Sequence, residues 1–150
     1  MWETLMDQFM RAAFDEAKMG LAEKGIPIGS VLVIDGHIVG RGHNRRVQNG
    51  SAILHAEMDC LGNAGRLKAS DYLRSTLYST LSPCDMCSGT ALLYKIPRII
   101  VGENRTFQGP EQYVRSRGVQ LEILDDQECV ELMRAFIAER PELWTEDIGV

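Results

Sequence analysis

Residues 76–101, Thr-Leu-Tyr-Ser-Thr-Leu-Ser-Pro-Cys-Asp-Met-Cys-Ser-Gly-Thr-Ala-Leu-Leu-Tyr-Lys-Ile-Pro-Arg-Ile-Ile-Val, decide the fold. The β-branched and aromatic residues at 76–80 predict a short strand, and residues 84–94 predict a helix opened by Ser82-Pro83. Residues 98–101 predict a buried strand after Pro97. A strand, a helix and a second strand in succession form a βαβ unit, so we expect these two strands to pair in parallel.

Upstream of this unit, the pattern predicts a helix, a hairpin and a second helix. Apolar residues recur at helical spacing through residues 4–24. Residues 30–34 and 37–40 flank Asp35-Gly36, a dipeptide typical of tight two-residue hairpins. Residues 53–64 return to a helical pattern, so this second helix is expected to begin near His55.

Downstream, a short helix is predicted at residues 110–117 and a strand at 119–124. Asp125-Asp126 is expected to cap a further helix that Pro141 ends. About five strands with helices between them predict an α/β fold, with one mixed sheet covered by helices on both faces.

Composition favours a single small domain. The chain has 150 residues, of which 45% are hydrophobic, and this is enough for one sizeable core spanning residues 1–150. The formal net charge of −5 argues against a nucleic-acid partner, because such partners usually meet basic patches. We find no signal-peptide pattern at the N-terminus and no apolar run near the ~20 residues that span a bilayer, so we expect a cytoplasmic protein without a membrane partner.

Three residues have the spacing and chemistry of a zinc site. Cys84 and Cys87 place two thiols one helical turn apart, and His55 adds an imidazole. Zinc binds such ligands tetrahedrally, and three protein ligands leave the fourth position for water. The sequence therefore predicts one Zn²⁺ per chain in a catalytic site. A closed structural zinc would need a fourth protein ligand, and none is evident.

Glu57 stands two residues after the histidine ligand. Two thiolates cancel the charge of the ion, so the zinc should acidify its water less than an all-histidine site would. A nearby base then becomes important, and we assign Glu57 the role of proton shuttle. His-x-Glu followed by Pro-Cys-x-x-Cys is the known signature of zinc nucleobase deaminases. It predicts hydrolytic deamination, whereas a Cys-x-x-Cys pair alone is equally typical of thiol redox or structural zinc sites.

The chain also resembles the fungal-type (yeast) cytosine deaminase family, within the cytidine/deoxycytidylate deaminase superfamily, along nearly its whole length. The motifs that carry the resemblance are Pro27-Ile-Gly29, Gly40-Arg-Gly-His-Asn44, Gly50-Ser-Ala52, Asn63 with Gly65-Arg-Leu67, Thr80-Leu-Ser-Pro-Cys-Asp-Met-Cys87, Ile96-Pro-Arg98, Val101-Gly-Glu-Asn104, Glu139-Arg-Pro141 and Trp144-Thr-Glu-Asp-Ile-Gly149. The resemblance implies a three-layer α/β/α homodimer that converts cytosine to uracil and ammonia, a step of pyrimidine salvage.

The same resemblance implies a substrate site. Asn44 would bind the base, since a carboxamide can donate to a ring carbonyl and accept from a ring N–H at once. Further polar contacts would come from Ser82, Asp147 and the backbone N–H of Ala56. The apolar walls and lid would be formed by Ile28, Leu81, Phe107, Trp144 and Ile148.

Two departures from the family pattern affect this site. The fungal enzymes have glycine between the metal histidine and the glutamate, where this chain has Ala56. His-Ala-Glu is similar to bacterial tRNA adenosine deaminases and guanine deaminases, so this position leaves the preferred base open. Arg105-Thr106 before Phe107 also differs. A deaminase of guanine or another heterocycle is the alternative, and a tRNA adenosine deaminase is disfavoured by the acidic composition.

Overall fold

A computed structural model describes residues 6–150 of the protein. Five strands form one mixed sheet in the order β2-β1-β3-β4-β5. The strands are β1 Gly29–Ile34, β2 His37–His43, β3 Ser75–Leu81, β4 Arg98–Glu103 and β5 Gln120–Ile123. The helices are α1 Gln8–Ala22, α2 Arg46–Asn49, α3 Ala56–Ala64, α4 Ala69–Tyr72, α5 Asp85–Leu93, α6 Glu111–Ser116, α7 Gln127–Glu139 and α8 Pro141–Asp147.

The strand pairing confirms the predicted mixed sheet. β3 and β4 pair in parallel on either side of α5, as the βαβ pattern predicted, and β5 continues the parallel part. β1 pairs antiparallel with both β2 and β3. The β1–β2 turn has positive φ at Asp35 (51°) and Gly36 (78°), which is the type I′ geometry expected of an Asp-Gly hairpin.

Alternate residues of the strands enter two different cores, because successive side chains of a strand point to opposite faces. Leu77 of β3 and Ile99 of β4 pack with Cys60 of α3 and Ala91 of α5 on one face. Their neighbours in sequence pack against α1 on the other face, in a cluster of Met10, Ala13, Val31, Val33, Tyr78 and Ile100. The fold is therefore the three-layer α/β/α sandwich that was expected.

Several predicted boundaries were wrong by a few residues. The first helix begins at Gln8, where the Asp7 carboxylate accepts from the N–H groups of Phe9 and Met10, and the predicted start at Thr4 lies outside the described residues. The second helix begins at Ala56 and not at Ile53, because Ile53 and Leu54 donate to the Ser51 hydroxyl in a turn.

Strand β2 is longer than predicted and two short helices were missed. β2 continues past Gly40 to His43, since it stays paired with β1 up to Gly29. The single-turn helices α2 and α4 lie in stretches without a long apolar period. No helix among residues 6–150 combines the length and apolarity needed to cross a bilayer.

Candidate active site

The predicted site residues converge at one edge of the sheet. β3 and β4 end at this edge, so Leu81 and the loop after Glu103 lie there. β1 runs antiparallel to β3, which places its first residue, Gly29, at the same edge, and β2 returns to it at His43. The carboxyl ends of parallel strands are the usual location of ligand sites in such sheets.

Two helix N-termini bring the three predicted metal ligands together. His55 is the N-cap of α3 and Cys84 is the N-cap of α5, with Cys87 in its first turn. The Nδ1 atom of His55 lies 3.4 Å from Sγ of Cys84 and 3.7 Å from Sγ of Cys87. One ligand atom from each residue falls within 4.8 Å of the others, and no fourth His, Cys, Asp or Glu joins this group among residues 6–150. Two sulfurs and one imidazole nitrogen suit zinc with one open position.

The electrostatics of the cysteine pair favour a thiolate. A hydrogen bond from Cys87 lowers the pKa of Cys84 to about 4, and the hydrogen bond from His55 lowers it further, although burial opposes both effects. The Cys87 thiol, which donates to Cys84 and is buried, has a pKa raised well above 9. The Cys84 sulfur at a helix N-terminus therefore favours the thiolate form, which is the form that binds a cation.

Asp147 lies behind the histidine ligand. Its Oδ1 atom is 3.5 Å from Nε2 of His55, the ring nitrogen that faces away from the cysteines. Burial lowers the pKa of His55, but the Cys84 hydrogen bond and the Asp147 carboxylate outweigh burial and raise it to about 9. A carboxylate next to the second nitrogen fixes the ring orientation of a metal-binding histidine.

Glu57 is buried in the first turn of α3, with 4% of its surface exposed. Burial raises its pKa to about 7, although the nearby His55 ring opposes this shift. A carboxyl group that titrates near neutrality can both accept and return a proton. This is the electrostatic setting that a proton shuttle requires.

His55, Cys84 and Glu57 line a cavity that has about 290 Å³ of empty space including its open mouth. Its wall contains every predicted substrate residue except Asn44, namely Ile28, Ala56, Leu81, Ser82, Phe107, Trp144, Asp147 and Ile148. Helix α8 covers the cavity, where the Trp144 ring meets Phe107 edge to face at a centroid distance of 6.0 Å. Their contact with substrate remains a prediction.

Asn44 lies just behind the cavity wall and is fully buried. Its Nδ2 atom donates to Oδ1 of Asp147 at 2.9 Å, and its Oδ1 atom accepts from the backbone N–H of Arg46 at 3.0 Å. A carboxamide has two N–H donors and two acceptor lone pairs, so one of each is left for a ligand.

The hydroxyl of Ser82 makes two hydrogen bonds within the protein, and its polar contact with substrate stays a prediction. Its Oγ atom donates to Oε2 of the buried Glu111 at 2.7 Å and accepts from the N–H of Gly109 at 3.0 Å. Glu111 also accepts from the Asn104 amide at 3.2 Å. The hydroxyl therefore joins β3 to the loop that carries Phe107, while the residue still lines the cavity.

The sequence reasoning missed three residues that organise the site: Arg46, Glu103 and Glu111. Arg46 approaches Asp147 at 3.6 Å, and Glu103 binds the backbone N–H groups of Arg105 and Thr106 at 2.8 and 3.0 Å. The unusual Arg105 pairs bidentately with Asp125, with both contacts at 2.7 Å. Glu111 carried no spacing signal because its partner Ser82 lies on another element, whereas the Glu103 contacts are local and belong to the turn after β4.

Comparison with known sequences identifies this site. Residues 4–103 match the sequence profile of the cytidine and deoxycytidylate deaminase zinc-binding region. The chain belongs to this deaminase family. Residues 55, 57, 84 and 87 all fall inside the matched segment, so the deaminase is a zinc enzyme whose donor set fits the ion.

Two relatives illustrate what the chain is similar to. The deaminase is 50% identical over 141 residues to a cytosine deaminase of Candida albicans, with 93% of this chain and 94% of that protein covered. It is 44% identical over 105 residues to a tRNA-specific adenosine deaminase of Streptococcus pyogenes, covering 69% of this chain and 66% of that protein.

Solved structures confirm the fold. A guanine deaminase from Nitrosomonas europaea superposes with a TM-score of 0.76 at 19% identity, covering 91% of this chain and 87% of that one. A structure from a study of A-to-I editing by tRNA:A34 deaminases superposes with a TM-score of 0.68 at 26% identity. The match covers 83% of this chain and 97% of that one.

Proposed function

We propose that this deaminase hydrolyses free cytosine to uracil and ammonia in pyrimidine salvage. The observation that carries the proposal is the 50% identity to a cytosine deaminase over nearly the full length of both proteins. Identity to the tRNA-specific relatives is lower and extends over about two thirds of each chain.

The size and burial of the cavity support a free base as substrate. The cavity is small, with about 290 Å³ of empty space including its open mouth, so it suits a single ring better than a large ligand. Aromatic and aliphatic walls suit a flat heterocycle, and Phe107 and Trp144 meet edge to face in this wall. A base attached to a nucleic acid would need an open path for the backbone, and the net charge of −5 would repel it.

Residues of the chain would hold the base by its ring edge. The free N–H and lone pair of Asn44 match the O2 and N1–H edge of cytosine. The N–H of Ala56, the first residue of α3, has no acceptor within the helix and faces the cavity end of α3. These contacts would turn the C4 amino group towards the three metal ligands.

Glu57 would move the protons. Zinc held by His55, Cys84 and Cys87 supplies a Lewis acid that lowers the pKa of water. Glu57 would take one proton of the attacking water and deliver it to N3 of the ring. It would then carry the remaining hydroxyl proton to the C4 nitrogen, so that the C4–N bond breaks, the C4 carbonyl forms and ammonia leaves. Its pKa of about 7 permits both directions of transfer.

We also propose a cytoplasmic homodimer. In α5, Cys87 and Ala91 are buried towards the sheet, whereas 69% of Leu93 and 44% of Tyr94 are exposed on the outer side. Exposed apolar residues of this size on one helix suit a subunit interface. Light scattering after size exclusion would report a mass near twice that of the chain, and a monomeric mass would contradict it.

A panel of free bases tests the proposed activity. Purified zinc-loaded enzyme is incubated with cytosine, guanine and adenine, and with tRNA as a separate substrate, and ultraviolet absorbance or chromatography follows the products. We expect deamination of cytosine to exceed that of the other substrates by about a hundredfold or more, since leaving buried polar groups unpaired is costly. Preferential turnover of guanine or of tRNA adenosine would replace cytosine as the substrate.

A further inference from the structure

A cluster of charged side chains with a buried histidine at its centre lies next to Asn44. Its centre is His43, the last residue of β2, whose side chain is completely buried. Because neighbouring residues of an extended segment point to opposite sides, the His43 ring faces α1 while Asn44 faces the site.

Both ring nitrogens of His43 contact carboxylates of the α1 region. Nδ1 lies 2.8 Å from Oε1 of Glu16, and Nε2 lies 2.8 Å from Oε1 of Glu23. A neutral imidazole has one N–H, so only a ring with both nitrogens protonated donates to both carboxylates. The hydrogen bond from His43 is also the largest influence that lowers the pKa of Glu23.

The charged groups around this ring compensate one another. Arg41 binds the other oxygen of Glu16 at 2.8 Å, and Arg45 approaches Glu23 at 3.8 Å. Gln48 also donates to Glu23, at 3.1 Å. The His43 ring and Glu16 are buried, so a displacement of the ring would leave buried polar groups without partners, whereas Glu23, Arg41 and Arg45 are partly exposed.

The packing of α1 fits the ring. A Cβ atom on Gly20 would lie 3.2 Å from Cδ2 of His43, so the glycine lets the helix approach the imidazole closely. Glycine inside a helix costs about 0.5–1 kcal/mol relative to alanine. The space it leaves is filled by the His43 ring.

Backbone hydrogen bonds connect the arrangement of His43, Glu16 and Glu23 to the site. The N–H of His43 donates to Oδ2 of Asp59 at 3.0 Å, and the N–H of Asn44 donates to the carbonyl of Ile28 at 3.0 Å. Arg45 binds the same Asp59 oxygen at 2.9 Å. The position of the Asn44 side chain is therefore set by groups on α1, β1 and α3 together.

We propose that His43 is a positioning residue for the reaction: its ring, held between Glu16 and Glu23, fixes the Asn44 carboxamide in the place where it reads the base. The inference rests on the proposed function, because it assumes that Asn44 contacts the O2 edge. His43 itself touches neither substrate nor metal.

Binding of uracil, the proposed product, and of one analogue of it measures how well the Asn44 carboxamide is positioned. Uracil has the C2 oxygen and N1–H that Asn44 would read, and 4-pyrimidinone lacks both. Inhibition constants for the two compounds are measured on zinc-loaded wild type, Asn44→Ala, His43→Gln and the double variant. We expect wild type to prefer uracil by about ten- to a hundredfold, Asn44→Ala to lose this preference, and His43→Gln to lose about tenfold of it.

A purely structural role would give a different pattern. It would weaken binding of both compounds equally in His43→Gln, and this result would overturn the inference. The double variant should be no worse than Asn44→Ala, since the two residues act through one contact. If Asn44→Ala keeps the preference for uracil, the proposed base contact fails. If Asn44→Ala loses it and His43→Gln keeps it, the positioning role alone fails.

Two further variants guard against misfolding and general effects. The Glu23 side chain is 41% exposed, so Glu23→Gln should fold normally and shift the preference in the same direction by a smaller factor. His37→Gln changes an exposed histidine at the other end of β2 and should leave the preference unchanged. An unchanged preference in both His43→Gln and Glu23→Gln would overturn the proposal.

Nuclear magnetic resonance can count the ring protons. The chain has three histidines, so selective ¹⁵N labelling gives few signals to assign. Hydrogen bonds from the ring to both carboxylates require a hydrogen on each ring nitrogen of His43. A ring with a single N–H would show that it does not donate to both carboxylates. This result would overturn the arrangement in which Glu16 and Glu23 hold the ring from two sides.

Discussion

Asp147 accepts a hydrogen bond of 2.9 Å from the side-chain amide of Asn44, a residue 103 positions earlier in the chain. The same Asp147 oxygen lies 3.5 Å from Nε2 of the metal ligand His55. One carboxylate on the covering helix α8 therefore contacts both the predicted base-reading residue and the histidine that holds the metal.

Replacing Asp147 with asparagine should damage both functions. Asparagine keeps the shape and an acceptor for Asn44 but removes the negative charge beside His55. We expect kcat/KM and zinc affinity to fall by about ten- to a hundredfold, as for other groups that orient metal ligands. Competition with a zinc chelator and a cytosine assay measure the two effects.

Glu146→Gln is the matched control for this variant. Glu146 precedes Asp147 on α8, its side chain is 67% exposed, and it approaches Arg46 at 3.7 Å. It should keep both zinc affinity and activity. Equal behaviour of the Asp147 and Glu146 variants would show that the carboxylate does not support the site.

The local parts of the site were predictable because their geometry is encoded by short spacing. Cys84 and Cys87 are one helical turn apart, and His55 and Glu57 share the start of one helix. The Asp-Gly hairpin and the βαβ unit were predictable for the same reason. The resemblance to a family supplied Trp144, Asp147 and Ile148, which no local pattern connects with the metal ligands.

The remaining features depend on contacts between distant segments. The bond between Asn44 and Asp147 and the bond between Ser82 and Glu111 join different elements, so no periodicity indicates them. The contacts of His43 could not be predicted for the same reason, because its carboxylate partners lie on or next to α1. Sequence reasoning identified the chemistry of the site, whereas the charged groups that support it became visible only in the fold.

Glu57→Gln should remove catalysis and keep the metal. Glutamine has nearly the same shape but cannot accept and return a proton. We expect cytosine turnover to fall by about 10²- to 10⁴-fold. Zinc content should stay near one per chain, because Glu57 is not among the predicted ligands. Uracil formation and elemental analysis check both statements, and near-normal turnover would remove Glu57 from the mechanism.

The same variant should alter how stability depends on pH in the metal-free protein. Burial raises the pKa of Glu57 from 4.5 to about 7, so the folded state favours the protonated carboxyl. Below pH 4.5 the group is protonated in both states and its ionisation costs nothing. As the pH rises to about 7, the unfolded state gains from ionisation and the folded wild type loses stability.

The Glu57→Gln variant has no carboxyl group at this position, so it does not lose stability in this way as the pH rises. Its advantage over wild type should be small near pH 4.5 and reach roughly 3 kcal/mol above pH 7, since each pH unit corresponds to about 1.4 kcal/mol. Urea unfolding in the presence of a chelator, repeated at several pH values, measures the difference. A stability difference that does not grow with pH would contradict the shift.

Gly109→Ala should displace the Phe107 wall of the cavity. A Cβ atom at Gly109 would lie 1.7 Å from the Pro83 carbonyl, so the loop must move and weaken the 3.0 Å bond from the Gly109 N–H to Ser82. We expect a stability loss of about 1–3 kcal/mol. Since an aromatic wall displaced by an ångström can cost about a hundredfold in rate, kcat/KM should fall by more than the stability loss explains. Gly62→Ala is the control: nothing lies within 4 Å of its added methyl on α3, so thermal unfolding should show a gain of about 0.5–1 kcal/mol with unchanged activity. Wild-type kinetics in Gly109→Ala would mean that the Phe107 loop does not shape the cavity, because the variant cannot keep the loop where the structure has it.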